Sequence, residues 1–513
     1  MEILMFLLAM LPIIWLIIAL GALKMPAFKA CPIALIIAAL LALIVWKLPV
    51  FHVATAALEG AIMALWPITI VIIAAVFTYN LCIHTGKIEI IKDMLTSVTK
   101  DKRILVLIIA WGFGGFLEGM AGFGTAVAIP ASMLWGLGFN PILSVVVCLI
   151  ANGSPTAFGS IGIPTITIAN LTGLDSIRVA GSLALQLAPI VILTPFILVM
   201  LTGKSIKALK GVFLLTLISG LAFIIPEYLV ATFIGAELPV VFGSVFSMIS
   251  TIIFSRLLNK DTPKEYLIEE KKDAKKLTYS SGEAVRAWSP FILILVLLLI
   301  TSKLVPSINN ALGAVKSSVL IYQGKGGSPY TFSWLSIPGV MIFLAAFIGG
   351  TLQGASFKEM LKVLKNTMIQ MWKTVFTIVT IIATAKIMGY SGMIAQIAAM
   401  FVAITGSYYP LVAPVIGSLG TFVTGSGTSS SVLFGGLQAE TARTLSLSEP
   451  WLVASNVLGA TAGKIISPQN IAIGIAATNQ VGKESVIFRA VIKYYLLFVI
   501  IMGLTTFIGL MFL

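Results

Sequence analysis

The sequence predicts an all-α polytopic membrane protein with about 12 transmembrane helices, two re-entrant hairpins and two inverted-topology repeats. Composition is the first reason. Of 513 residues, 59% are hydrophobic and only 10% charged, with a mean hydropathy of +1.07; soluble domains carry about 45–50% apolar and ~25% charged residues. So few charges cannot clothe a water-facing surface, which excludes a soluble enzyme, and the same arithmetic excludes a disordered chain. The second reason is that the apolar residues come in runs long enough to cross a bilayer, which takes about 20 helical residues. The third is that motifs recur at one fixed offset, the mark of an internal duplication.

Apolar spans fall at 3–23, 30–47, 61–83, 141–169, 179–202, 211–226, 231–255, 290–305, 334–352, 368–389, 450–477 and 490–513. No basic stretch precedes the first run, so it reads as a retained helix rather than a cleaved signal. Two further apolar stretches, 104–138 and 411–447, are rich in glycine. They suit re-entrant hairpins, since irregular backbone at membrane depth survives only under cover of protein or a wet cavity. Spans 141–169 and 450–477 carry Asn and Gly or Pro within apolar sequence and read as broken helices. The charged stretch 259–286 reads as a solvated connector, with regulation as the alternative.

Gly122-Phe123-Gly124-Thr125 and Gly425-Ser426-Gly427-Thr428 lie 303 residues apart, and Asn152/Asn456, Gly159/Gly463 and Pro164/Pro468 each lie 304 apart. The expected division is a first repeat at 1–205, two linking helices and a loop at 206–286, and a second repeat at 287–513. An odd number of crossings per repeat and an even linker invert the second repeat. Lys87, Lys92, Lys100, Lys102 and Arg103 precede the first hairpin, whereas 390–410, ahead of the second, holds no charge. Basic loops mark the cytoplasmic side, which places both termini outside. The net charge of +14 therefore reads as membrane orientation, not nucleic-acid binding. Inverted repeats whose broken helices meet at mid-membrane are the plan of a secondary transporter.

Glu118 is the only acid within 104–138. A carboxyl away from water takes up a proton readily, which makes it a candidate proton carrier; a structural glutamate bonded to hairpin amides is the alternative. Around it, Gly122, Gly124 and Thr125 let backbone N–H groups approach a small anion. The second hairpin offers Ser426, Thr428 and Ser429, hydroxyls that are costly in apolar sequence unless something polar binds there; local capping is the alternative. Asn152, Ser154 and Asn456 sit within the broken spans. Lys464 follows, a span lysine able to hold a carboxylate, to pair with Glu118 or to snorkel, with Ser467 and Gln469 beside it. Lys386, near a span end, reads as snorkelling, and Glu440/Arg443 as a local ion pair. Glu227 and Glu237 are expected on the outer side, opposite the cytoplasm. Cys31, Cys82 and Cys148 stand singly in apolar segments, and no His/Cys/Glu spacing suits a metal.

The stretches FLEGMAGFGT (116–125), NGSPTAFGSIGIP (152–164), GSGTSSS (425–431) and GKIISPQNIAI (463–473) resemble the lactate permease family of secondary transporters. The likeness covers nearly the whole chain. It implies proton-coupled symport of lactate, glycolate and similar 2-hydroxymonocarboxylates across the plasma (inner) membrane, by alternating access between scaffold and transport domains. It also implies a homodimer, and no cofactor beyond the proton as coupling ion; sodium coupling is the alternative. Carried over, Glu118 falls on the acid of the first motif, and Lys464, Ser467 and Gln469 on the last. The tip at 428–431 departs from the family pattern in the apolar Val432-Leu433-Phe434 that follows, which bears on substrate breadth.

Overall fold

The computed structural model describes residues 2–23, 25–122, 124–258, 262–268, 279–302, 304–480 and 483–512. Phe123 of the first motif and residues 259–261 and 269–278 of the 259–286 connector lie outside them. Eleven described helices are long and apolar enough to cross a membrane, or up to 12 if one bent pair counts as a single span.

The chain opens with α1 (Glu2–Leu16), α2 (Ala27–Ile44), α3 (Val50–Met63), α4 (Ile70–His84) and α5 (Lys87–Thr96). The span expected at 61–83 starts earlier: α3 and α4 form one 35-residue unit, Val50–His84, kinked at Trp66 (φ −132°, ψ 117°) ahead of Pro67. The first hairpin follows. Its ascending arm is α6 (Lys102–Val106), a π-helical stretch and α7 (Gly114–Met120); its return arm is α8 (Thr125–Gly136). Gly122 (φ 62°) and Gly124 (φ 86°) make the turn in left-handed backbone that a side chain would strain.

Next come α9 (Pro141–Ala151), a 3₁₀ turn, α10 (Gly159–Thr172) and α11 (Ser176–Thr202). The expected broken span bends by 49° between α9 and the segment Ser154–Thr172. Ser160, Ile161 and Gly162 take left-handed φ values of 49°, 57° and 76° just before Pro164. Two linking helices, α12 (Phe213–Phe233) and α13 (Pro239–Leu258), lead to α14 (Ser281–Thr301) and α15 (Pro306–Ala314). A small antiparallel ribbon, β1 (Lys316–Val319) with β2 (Tyr330–Ser333), was not expected from the sequence. The Tyr330 hydroxyl donates to the Trp66 carbonyl (2.5 Å) and Trp66 Nε1 to the Ser333 carbonyl (3.1 Å), pinning the ribbon to the kink.

The remainder is α16 (Pro338–Leu352), α17 (Phe357–Ser391), α18 (Met393–Thr405), α19 (Tyr409–Thr424), α20 (Gly427–Thr444), α21 (Glu449–Ile466), α22 (Pro468–Ala477) and α23 (Glu484–Gly509). A capping box starts the 35-residue α17: Glu359 N–H donates to Ser356 Oγ (3.3 Å) and Ser356 N–H to the Glu359 carboxylate (2.8 Å). The second hairpin, α19 and α20, turns at Gly425 (φ 71°). The second broken span corrects the expectation for Asn456. That residue lies inside the unbroken α21, and the break falls at Ser467 instead. The reason is Pro468, which has no N–H to continue the ladder.

Short helix, hairpin, broken span and long helix thus run in order from α5 to α11 and again from α18 to α23. The two hairpins are cross-packed: α8 lies against α22, and α20 against α10. Helices α2, α3, α4 and α16 pack with α17 as a wall. Between α19 and α21, glycines let the backbones touch: a Cβ on Gly417, Gly459 or Gly463 would strike the carbonyls of Asn456, Pro414 or Ser418. Gly459→Ala should therefore destabilise the chain by about 1–3 kcal/mol, the range for overpacking. The check is the thermal unfolding midpoint in detergent. It should fall for Gly459→Ala and hold or rise for Gly136→Ala, where an added Cβ meets open space.

Candidate functional site

The two hairpin turns and the two helix breaks converge on a cavity of about 340 Å³. Wall helix α17 closes its other side with Gln370, Thr374, Thr377, Ile378 and Ile381.

An ion pair forms part of its lining. Glu118, near the end of α7, and Lys464, near the end of α21, are both buried, with Lys464 Nζ 2.5 Å from Glu118 Oε1. Gly159 makes room for the carboxyl, because a Cβ there would come within 2.6 Å of Glu118 Oε1. Glu118 Oε2 has no partner among the described residues, and only one of the three ammonium protons of Lys464 is needed for Glu118. The couple is therefore electrically balanced but short of hydrogen bonds on both sides. The Gln469 carboxamide lies against the Gly425 turn, in the space a Cβ would fill. Ser160 Oγ donates to the Ala121 carbonyl (3.0 Å), tying the first break to the first turn.

Of the residues singled out from sequence, Glu118, Gly124, Ser426, Thr428, Ser429, Lys464 and Gln469 line this cavity. Six others stand away from its lining, each for a local reason. Gly122 supplies the turn, and its carbonyl accepts from Thr125 Oγ1 (2.7 Å), so the Thr125 hydroxyl is spent on the turn itself. Asn456 crosslinks helices, with Nδ2 donating to the Ser430 carbonyl (3.3 Å). Asn152, Ser154 and Ser467 are buried with side-chain polar atoms that lack partners among the described residues. Ser426 Oγ also accepts from Ser429 N–H (3.3 Å), so capping and cavity lining coexist in it.

Sequence reading missed Thr156, Ser160 and Asn470, and the polar face of α17. The last had a signal: Gln370, Thr374, Thr377 and Ile381 follow helical spacing, which puts them on one stripe. One other expectation fails. Lys386 does not snorkel but lies 2.9 Å from the buried Glu59. Glu227 is fully buried, with both carboxyl oxygens unpartnered among the described residues. No three His, Cys, Asp or Glu side chains gather as metal ligands among those residues.

Residues 5–513 match the profile of a family described as L-lactate permease. An L-lactate permease of Streptococcus iniae is 47% identical over 449 residues, covering 87% of this chain and 93% of that protein. The glycolate permease GlcA of Escherichia coli (strain K12) is 36% identical over 532 residues, covering 98% and 94%. Among solved structures, the YdaH transporter of Alcanivorax borkumensis aligns with a TM-score of 0.51 at 15% identity, covering 89% of this chain and 87% of that one, a likeness of fold.

Proposed function

Because the chain belongs to the L-lactate permease family, we propose that it carries lactate and related 2-hydroxymonocarboxylates, glycolate included, across the plasma membrane together with a proton. The observation that carries this reading is the Glu118–Lys464 pair on the wall of a cavity with ample room for a small acid.

The pair suggests how proton and anion are coupled. In the empty protein Glu118 occupies Lys464. A proton on Glu118 removes the competing charge and frees Lys464 for a carboxylate, while the hydroxyls of Thr428 and Ser429 and the Gln469 amide reach the 2-hydroxyl. Empty and fully loaded forms then carry the same charge. A half-loaded form holds one unbalanced buried charge, which costs several kcal/mol to keep from water. Alternating access is thereby biased to the empty and full states, and proton plus anion moves no net charge across the membrane potential.

The cavity is lined in part by the exposed Gln370, whose Oε1 accepts from Asn80 Nδ2 (3.0 Å) on α4. The basic run Lys87 to Arg103 follows α4, so this reading places the opening on the cytoplasmic side.

Sodium coupling is the second reading. It is favoured by Asn152 and Ser154 at the first break, whose buried oxygens lack partners among the described residues and suit a hard cation. One experiment decides. Purified protein in liposomes receives labelled lactate and an imposed proton gradient in sodium-free buffer. Accumulation is expected; uptake that appears only when sodium is added would favour the second reading.

A further inference from the structure

Lys386 stands between two further cavities, of about 390 and 330 Å³, and Asn170, Ser328 and Lys386 line both. These cavities are the far end of a seam that begins at Glu118 and Lys464. The stripe of α17 that faces the central cavity, through Ile378 and Ile381, continues as Ala385, Gly389 and Tyr390 along the larger of the two. The same two helices appear at both ends. Helix α10 supplies Pro164 to the central cavity and Asn170 to the far one, while α20 supplies Thr428 and then Gly436. Between them the seam is packed shut, with Gly435 of α20 against Ile168 of α10.

The charge at this far end is built in, not incidental. Gly60 lets α3 sit directly on the backbone of Ala383, which brings Glu59 onto Lys386 one turn later. Glu59 is fully supplied: Oε1 accepts from Lys386 (2.9 Å) and from the Tyr390 hydroxyl (2.8 Å), and Oε2 accepts from Tyr322 N–H (3.2 Å). Lys386 is not, because an ammonium has three donors and Glu59 takes one. Arg443, on the opposite wall, is half exposed, and two carboxylates, Glu440 (3.3 Å) and Glu449 (3.0 Å), already face its single charge. Of the two cations lining these cavities, Lys386 is thus the less exposed and the one facing a single carboxylate, and Asn170 and Ser328 share both linings with it.

We infer that Lys386, Asn170 and Ser328 form a second binding site for small carboxylates, on the face opposite the opening of the central cavity. The carboxylate takes the free ammonium protons of Lys386, and Asn170 and Ser328 meet a hydroxyl on the adjacent carbon. An anion held there waits one to two helical turns of α17 from the central cavity, on the path it must take when the seam opens on that side. The ligand class rests on the transport reading above; the site itself rests on the cavities and on Lys386.

The test is equilibrium binding of labelled lactate to the purified full chain in lipid nanodiscs. The variant is Glu59→Gln with Lys386→Met, which removes both charges and leaves no lone buried ion. Glu118→Gln with Lys464→Met, neutral in the same way, reports the central site separately. Wild type is expected to bind in two phases. The Glu59/Lys386 variant should lose one phase, or weaken it by more than roughly tenfold (about 1.4 kcal/mol), and the Glu118/Lys464 variant should lose the other. Two phases unchanged in the Glu59/Lys386 variant would overturn the second site, as would a single wild-type phase that only the Glu118/Lys464 variant abolishes. A single phase that follows Lys386 alone would support the second site and sink the substrate reading of the central cavity.

Discussion

Glu118→Gln protein in liposomes is expected to exchange labelled lactate for unlabelled lactate across the membrane, yet to accumulate none under an imposed proton gradient. Glutamine keeps the size of the side chain and a carbonyl oxygen for Lys464, so the 2.5 Å neighbour of the wild type is preserved in shape but not in charge. Lys464 then stands permanently released, as if the proton were always bound. Lactate loads without a proton, and the loaded form is balanced, so exchange continues. The empty variant carries an unpaired ammonium and returns slowly, because an uncompensated buried charge costs several kcal/mol. Net uptake therefore stops while exchange survives. The same logic flattens the pH dependence of lactate binding, which in the wild type should weaken as the medium is made alkaline and Glu118 reclaims Lys464. Accumulation in the variant that matches wild type would remove Glu118 from the proton's path.

Lys464→Ala should have the larger effect on substrate affinity. It removes the cation that faces the carboxylate and leaves Glu118 buried without its partner. Breaking a buried pair from one side costs about 3–5 kcal/mol, part of it in folding. Apparent lactate affinity should fall by at least roughly a hundredfold, or about 2.8 kcal/mol, in uptake and exchange alike. Folding is separated from binding by Glu118→Gln combined with Lys464→Met, which leaves no lone charge. That double variant should regain the wild-type unfolding midpoint without regaining transport. An unchanged lactate affinity in Lys464→Ala would make the lysine purely architectural.

The two halves of this pair were each legible in the sequence, and for the same reason: a Glu and a Lys inside apolar segments are costly enough to demand a purpose. That they meet was left open among three alternatives, because 346 residues separate them and periodicity reports only local geometry. Asn456 shows the opposite case. Its offset matched Asn152, yet α21 passes through it unbroken and the helix yields at Pro468. A missing N–H breaks a helix, whereas an asparagine inside one can instead bond sideways, as this one does to the Ser430 carbonyl. The partner of Lys386 is invisible to periodicity because Glu59 lies far away along the chain, and the packing of α3 on α17, tight at Gly60 and Ala383, brings them together.

Sequence alone determined the membrane class, the places of both hairpins, the offset of 303–304 residues between matching motifs, and the acid and base of the central pair. Those properties follow from local cost: apolar runs need lipid, glycine permits left-handed turns, and isolated charges need partners. Only the tertiary structure decided which side chains line the cavity, that α17 closes it, and that Glu59 and Lys386 pair with each other. Each of these depends on helices distant in sequence packing side by side, and that choice is made by the whole set of contacts at once rather than by any one segment.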